Sequence, residues 1–76
     1  MQITVNGSTI TIEKNIKTLT QLADHLTIDL SNKIIEYNNS IINKTDYKNI
    51  TLKPNDNIEI IQFMGGGNIN ENLNTE

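Results

Sequence analysis

The residues that could take part in chemistry are unevenly distributed in this 76-residue sequence. It contains no cysteine and one histidine, His25, which excludes disulfides, thiolate chemistry and an imidazole cluster. The carboxylates of Glu36, Asp46, Asp56 and Glu59 are too scattered to predict an acid–base pair, and solvated surface carboxylates are the simpler interpretation. The sequence also lacks a nucleophile elbow and a phosphate-binding loop. An enzyme is therefore the least favoured class.

One segment could nevertheless take part in chemistry, the triplet Gly65-Gly66-Gly67. It follows an apolar run from Asn57 to Phe63 and holds three of the four glycines in the chain. Because glycine has no Cβ, such a triplet makes a narrow, flexible arm that can enter a tight channel in another protein. The alternative interpretation is a simple linker between a domain and a disordered tail.

Composition indicates one small domain without a strong charge. A chain of this length buries only about 60% of its unfolded surface, so its core is small. Two of the nine acids follow the glycines, which leaves seven acids against six scattered lysines in the preceding part. This balance gives no support to nucleic-acid binding. No stretch approaches the roughly 20 apolar residues of a membrane span, and no signal-peptide pattern opens the chain. We expect a cytoplasmic protein.

The N-terminal third predicts a hairpin followed by a helix. Alternating residues 2–6 and 9–12 flank Asn6-Gly7, a dipeptide that favours a type I′ turn. Thr18 and Gln21 have the spacing of a capping box at a helix start. The apolar residues that follow recur at helical spacing and predict one helix from about 18 to 27 with that stripe inward. They are Leu19, Leu22, Ala23 and Leu26.

The later elements are shorter. Ile34, Ile35 and Tyr37 mark a third strand, Asn38-Asn39 a turn and Ile41-Ile42 a return strand. Thr45-Asp46-Tyr47 could open a brief helical turn. Pro54-Asn55-Asp56-Asn57 predicts a turn of type I, since Pro54 presets φ.

The last predicted strand runs from Ile58 to Phe63. Strand parity places Ile58 and Ile60 on one face and Glu59, Ile61 and Phe63 on the other. On the second face, the apolar pair Ile61 and Phe63 could pack against the strand ends or form an exposed patch for a partner. A hairpin, a helix and later strands in this order predict an α+β, ubiquitin-like β-grasp fold. Its mixed sheet carries one main helix on one face, and its first and last strands are central, parallel neighbours.

The boundaries follow from composition. We predict a β-grasp domain over residues 1–67 that ends in the glycine arm, and a disordered tail over residues 68–76. The tail has only Ile69 and Leu73 as apolar residues, with asparagines at alternate positions.

Several stretches resemble the ThiS-type sulfur carriers of thiamine biosynthesis. The most specific is the run from Leu52 to Gly67, which contains Asp-x-Ile-Glu-Ile-x-x-Phe-x-Gly-Gly-Gly. The opening Met-Gln-Ile-Thr-Val-Asn-Gly and the segment Glu36 to Ile42 also fit, so the resemblance spans residues 1–67. The related small subunit of molybdopterin synthase is the nearest alternative, and the short length before the glycines favours the thiamine carrier. A plain β-grasp interaction module is the alternative from another class.

The resemblance implies a protein co-substrate and not an enzyme. An E1-like, ThiF-type adenylyltransferase would use ATP to adenylate the C-terminal glycine carboxylate. A sulfur donor such as cysteine desulfurase would supply persulfide sulfur for a thiocarboxylate, and a ThiG-type thiazole synthase would consume it. No cofactor is expected on the chain itself, and neither nucleic acid nor membrane is an expected partner.

The site residues follow from matching positions. The flexible arm is Gly65, Gly66 and Gly67, and the adenylated and sulfurated terminus is Gly67 or Gly66. Ile61, Phe63 and Met64 are the candidate partner-binding residues, while catalytic and metal-ligating residues are not expected on this chain.

One feature departs from the family pattern. The reactive glycine is the last residue in the family, whereas residues 68–76 follow Gly67 here. An amide at Gly67 has no free carboxylate to adenylate. Removal by a protease, an artificial addition, or loss of carrier activity would each account for this tail.

Overall fold

A five-stranded mixed sheet with one α-helix is the architecture of residues 1–62, the part of the chain that the computed structural model describes. The elements in chain order are β1 (Gln2–Val5), β2 (Ser8–Thr11), α1 (Leu19–His25), β3 (Lys33–Tyr37), β4 (Ser40–Ile42), a 3₁₀ helix (Lys44–Asn49) and β5 (Asn57–Gln62). The predicted elements are all present, including the short helical turn before residue 50.

The strand order is β2-β1-β5-β3-β4, which places the last strand at the centre of the sheet. β1 and β5 are parallel, with Thr4 opposite Asn57 and Val5 opposite Ile58. β5 is antiparallel to β3, and both hairpins are antiparallel. The expected pairing of the first and last strands as parallel neighbours is therefore confirmed, as is the α+β β-grasp arrangement.

Both hairpins turn through pairs of residues with positive φ. Asn6 and Gly7 have φ values of 50° and 84°, and Asn38 and Asn39 have values of 50° and 73°. Positive φ at both central positions is the mark of a type I′ turn, whose twist matches that of paired strands. Asparagine tolerates this backbone region better than most residues.

The turn before β5 differs from its prediction. Asn55, the third residue of the turn, has φ 70°, and the Asp56 N–H donates to the Lys53 carbonyl oxygen at 3.2 Å. Positive φ at this position belongs to a type II turn, so the predicted type I is wrong. Proline at the second position suits both types; the asparagine after it makes type II accessible.

The start of α1 is capped as predicted, with one shift. The Thr18 hydroxyl accepts from the Gln21 N–H at 3.2 Å, and Thr18 itself has extended backbone angles. The Gln21 Oε1 atom accepts from the Lys17 N–H at 2.7 Å rather than from that of Thr18. The two side chains still satisfy two backbone donors at the helix start.

The helix ends at His25, two residues before the predicted end. Thr27 adopts φ 59°, its N–H donates to the Asp24 carbonyl at 3.1 Å, and the Ile28 N–H donates to the Ala23 carbonyl at 2.8 Å. These two bonds make a Schellman motif, which normally uses glycine at the left-handed position. Threonine occupies it here, so the usual sequence signal for the helix end is missing.

The core lies between α1 and one face of the sheet. The predicted helix stripe is inward, with Leu19, Leu22 and Ala23 buried and Leu26 half-buried against the cluster. Ile58 on β5 has no exposed surface. The other buried members of the cluster are Ile3, Ile12, Ile16, Ile35, Tyr47 and Leu52. Every strand neighbouring β5 therefore adds to the packing that holds β5 in place.

The cap gives a prediction about stability. Thr18→Ala removes the acceptor for the Gln21 N–H, so the free energy of unfolding should fall by about 1 kcal/mol. Thr20→Ala is the matched control, because Thr20 is exposed within α1 and alanine favours a helix. Urea denaturation followed by circular dichroism measures both; equal midpoints for Thr18→Ala and the wild type would contradict the cap's contribution.

Candidate functional site

The candidate site begins at the end of β5. β5 extends to Gln62, still paired with β3 through Lys33, and the glycine triplet starts three residues later in the sequence. Of the predicted partner-binding residues, Ile61 lies on β5. Phe63, Met64 and the arm Gly65, Gly66 and Gly67 lie outside the described residues, as does the predicted tail 68–76.

Ile61 belongs to an apolar and acidic area on the sheet face opposite α1. Its side chain is 43% exposed and lies directly across from Ile34 on β3, while Ile41 on β4 is 68% exposed. Between these isoleucines, Glu59 on β5 lies directly opposite Glu36 on β3. We call these five residues the isoleucine face. The parity prediction for β5 is confirmed within the described residues, since Ile58 is buried and Ile61 is exposed, while Phe63 lies outside them.

A lysine close to this face in sequence is turned away from it. Lys33 has the opposite strand parity to Ile34 and Glu36, and its Nζ donates to the Asp29 carbonyl oxygen at 3.1 Å. The isoleucine face therefore combines three apolar side chains with two carboxylates and no cation. Like charges directly opposite across two strands are mildly unfavourable within the domain.

The beginning of β5 is fixed by Asp56, which is only 6% exposed and is the buried charged side chain of the described residues. Its Oδ2 accepts from the Tyr37 hydroxyl at 2.6 Å and from the Lys53 N–H at 2.7 Å. Its Oδ1 accepts from the Asn38 Nδ2 at 3.1 Å. One carboxylate thus joins the turn before β5 to the end of β3 and to its hairpin turn.

These contacts shift two pKa values in opposite directions. Burial alone would raise the pKa of Asp56, but the hydrogen bonds from Tyr37, the Lys53 amide and Asn38 hold it below its usual 3.8. Burial, the hydrogen bond to Asp56 and the Asp56 charge raise the pKa of Tyr37 to about 12. Near neutral pH the pair is therefore a phenol that donates to a carboxylate, which is a structural arrangement rather than a reactive one.

Other surface features suggest no reactive centre in residues 1–62. Three surface depressions of about 290 to 420 Å³ lie along α1, the loops and the 3₁₀ helix, away from the end of β5. His25 is exposed beside one of them, as a surface histidine should be. Within that range no group of His, Asp and Glu side chains could hold a metal ion. No helix there is long and apolar enough to cross a membrane.

A comparison with protein families distinguishes the ThiS-type carrier from the alternatives that the sequence left open. The model of the ThiS family matches residues 2–67. The chain belongs to the ThiS family. The resemblance to ThiS-type sulfur carriers of thiamine biosynthesis is thereby confirmed, and these are small sulfur carrier proteins. The matched span includes the glycine arm and ends at Gly67.

Individual proteins agree with this assignment. The crystal structure of the thiamine biosynthesis protein ThiS from Geobacter metallireducens is similar, with a TM-score of 0.77 and 29% sequence identity. The match covers 88% of this chain and 100% of that one, so residues 1–62 share the fold of that ThiS protein. An uncharacterised protein of Trieres chinensis, ycf40, is 38% identical over 53 residues, which are 70% of this chain and 73% of the relative.

Sequence reasoning missed the contacts that hold β5. The sequence pattern favours a solvated surface carboxylate at Asp56, and that interpretation is wrong because the residue is buried. Its partners Tyr37 and Asn38 are 19 and 18 residues away, so spacing gave no signal for the cluster. The available signal was an acidic residue between turn-forming asparagines, directly before a strand.

The Asp56 cluster predicts a specific dependence of stability on pH. Because the pKa of Asp56 is lower in the folded chain than its usual 3.8, the carboxylate's contribution is complete above about pH 4 and is lost as pH falls further. Asp56→Asn should lower the free energy of unfolding at pH 7 by about 1–3 kcal/mol and flatten the acid limb. Asp24→Asn, which changes an exposed carboxyl on α1, should do neither.

Chemical denaturation of the three proteins from pH 2 to pH 7 measures this effect. An acid limb in Asp56→Asn as steep as that of the wild type would show that other groups cause the loss of stability in acid.

Proposed function

We propose that this ThiS-family chain carries sulfur as a thiocarboxylate on Gly67, after residues 68–76 have been removed. The observation that carries the proposal is the arrangement at β5. This strand is buried at Ile58, paired with both β1 and β3, and leads within three residues to the glycine arm at which the family match ends. A rigid strand before a narrow arm suits a carrier whose end is delivered into partner active sites.

The proposed chemistry uses no side chain of the arm. The Gly67 carboxylate attacks the α-phosphorus of ATP, which gives an acyl adenylate and pyrophosphate. The terminal sulfur of a persulfide then displaces AMP and forms an acyl disulfide. A second thiol cleaves its S–S bond, so that this thiol is oxidised to a disulfide and Gly67 is left as a thiocarboxylate. The adenylate step is needed because a carboxylate is a poor acyl donor without a good leaving group.

The reacting groups other than the carboxylate would come from partners. An E1-like, ThiF-type adenylyltransferase would bind ATP, a donor such as cysteine desulfurase would supply the persulfide, and a ThiG-type thiazole synthase would take the sulfur. The chain would hold no cofactor of its own. The small core of the domain supports the assignment of the catalytic groups to partner proteins, because a core of this size does not enclose a catalytic cavity.

Partner docking is proposed to use the isoleucine face together with Phe63 and Met64. Ile61 is exposed on that face and is two residues from Phe63, which shares its strand parity in the sequence. An exposed apolar patch at this position suits a protein contact. A partner that contacts Ile61 would also be close to the arm that it must receive.

The test of the proposal compares chains that end at different residues. The adenylyltransferase, a persulfide donor with a thiol reductant, and Mg-ATP are incubated with chains 1–66, 1–67 and 1–76, and intact mass reports the products. We expect chain 1–67 to release pyrophosphate and to exchange one carboxyl oxygen for sulfur. The 76-residue chain should remain unchanged, because its Gly67 is in a peptide bond to Asn68.

Two results would overturn the proposal. One is equal sulfur incorporation in chains 1–67 and 1–76, which would place the reaction elsewhere. The other is no incorporation in either trimmed chain by a partner set that is active on another ThiS protein. Sulfur on chain 1–66 alone would move the reactive terminus to Gly66.

Docking through Ile61 predicts a change in apparent affinity. Ile61→Ala removes exposed apolar surface beside the arm, so the KM of chain 1–67 in adenylation should rise about five- to twentyfold with little change in kcat. Thr9→Ala is the matched control, because Thr9 lies exposed on the same sheet face but two strands away on β2. Equal KM values for Ile61→Ala and Thr9→Ala would exclude a contact at Ile61.

A further inference from the structure

The second half of β5 is supported unequally at its two edges. On one edge, β3 pairs with β5 as far as Gln62. On the other edge, β1 pairs only with Asn57 and Ile58, because the chain turns away at Asn6-Gly7. Backbone pairing alone would therefore leave this edge of β5 unsupported immediately before the arm.

The side chain of Asn6 continues the pairing where β1 ends. Its backbone N–H donates to the Ile58 carbonyl oxygen at 2.9 Å, and its Oδ1 accepts from the Ile60 N–H at 2.7 Å. The amide oxygen thus takes the position that a backbone carbonyl of β1 would have had. This contact joins residues 54 positions apart in the sequence.

Asn38 makes a similar contact at the other end of the strand. It too has φ 50° in a hairpin turn, its N–H donates to the Asn57 carbonyl at 2.8 Å, and its Oδ1 accepts from the Asn57 N–H at 2.8 Å. Asn38 lies on the β3 edge and holds the first residue of β5. Asn6 lies on the β1 edge and holds the second half, closer to the arm.

We propose that Asn6 is a positioning residue that sets the direction in which the chain leaves the sheet after Gln62. Without its bond to Ile60, the end of β5 is held along one edge and can swing about β3. The functional consequence rests on the proposed sulfur transfer: a narrow partner site accepts the arm only from a limited range of directions, so a partner would have to order residues 60–62 as it binds.

The chain offers closely matched variants. Asn6→Gly keeps the turn, because glycine adopts positive φ readily, and removes only the amide acceptor. Asn6→Asp retains an oxygen at the same position and should restore the bond. Asn38→Gly is the control: it makes the same change in the other turn and also removes the bond from Asn38 to Asp56, so its loss of stability should be at least as large.

The direct readout is NMR on the 76-residue chain and does not depend on any partner. In Asn6→Gly, the Ile60 amide should exchange with solvent about tenfold faster, and the residual dipolar couplings of Ile61 and Gln62 should decrease. Asn6→Asp should resemble the wild type. In Asn38→Gly the change should appear at Asn57, while the couplings of Ile61 and Gln62 stay unchanged. Unaltered couplings at Ile61 and Gln62 in Asn6→Gly would overturn the proposal.

The functional readout is adenylation of chains that end at Gly67. We expect Asn6→Gly to lose about five- to tenfold in kcat/KM, while Asn38→Gly and Asn6→Asp stay within about twofold of the wild type. An equal loss in Asn6→Gly and Asn38→Gly would attribute the effect to stability and overturn the positioning role. If the wild-type chain itself is not adenylated, the proposed function fails, and the NMR couplings alone decide whether Asn6 directs the strand.

Discussion

The central position of β5 is the constraint on which the rest of this structure depends. A strand with neighbours on both edges and a fully buried residue, Ile58, cannot shift by one residue without moving that side chain to the opposite face. β1 and β3 therefore have their registers set by β5, and α1 packs on the face to which Ile58 contributes. The segment after Gln62 begins from the most constrained strand of the domain.

Side chains as well as backbone pairing hold this strand. Asp56 accepts three hydrogen bonds directly before β5. Asn38 forms hydrogen bonds with both the N–H and the carbonyl oxygen of Asn57, and Asn6 accepts one from the Ile60 N–H. Such polar contacts add specificity of position to a core that is small for reasons of chain length. Asp56 and Asn38 act at the start of β5, and Asn6 acts at Ile60 in its second half.

The sequence predicted structural features that depend on neighbouring residues, whereas it did not predict side-chain contacts between distant residues. Asn6-Gly7 predicted its turn and Thr18 with Gln21 predicted the helix start, because each signal depends on neighbouring residues. The helix end was missed since Thr27 takes the left-handed position usually given to glycine. The type II turn at Asn55 was missed because proline before it suits two turn types.

The side-chain roles of Asp56 and Asn6 depend on the register of the strands beside β5. The sequence predicted β1 as a neighbour of β5 but not the register of that pairing. An asparagine needed for a turn and an asparagine that also pairs with a distant strand look the same in sequence. The order of the predicted elements indicated the β-grasp topology, and the strand order of the structure confirms it. The family match over residues 2–67 agrees with this topology.

The isoleucine face contains two carboxylates that oppose association through its exposed apolar residues. Glu36 and Glu59 repel each other weakly across their strands, at a cost that water reduces because neither is fully buried. Two carboxylates among three isoleucines discourage a second copy of the chain from stacking face to face, because four like charges would then be brought together. The same carboxylates oppose contact with phosphate backbones. The charges of this face therefore oppose close contact with a second copy or with a phosphate backbone, while Ile61 stays accessible near the end of β5.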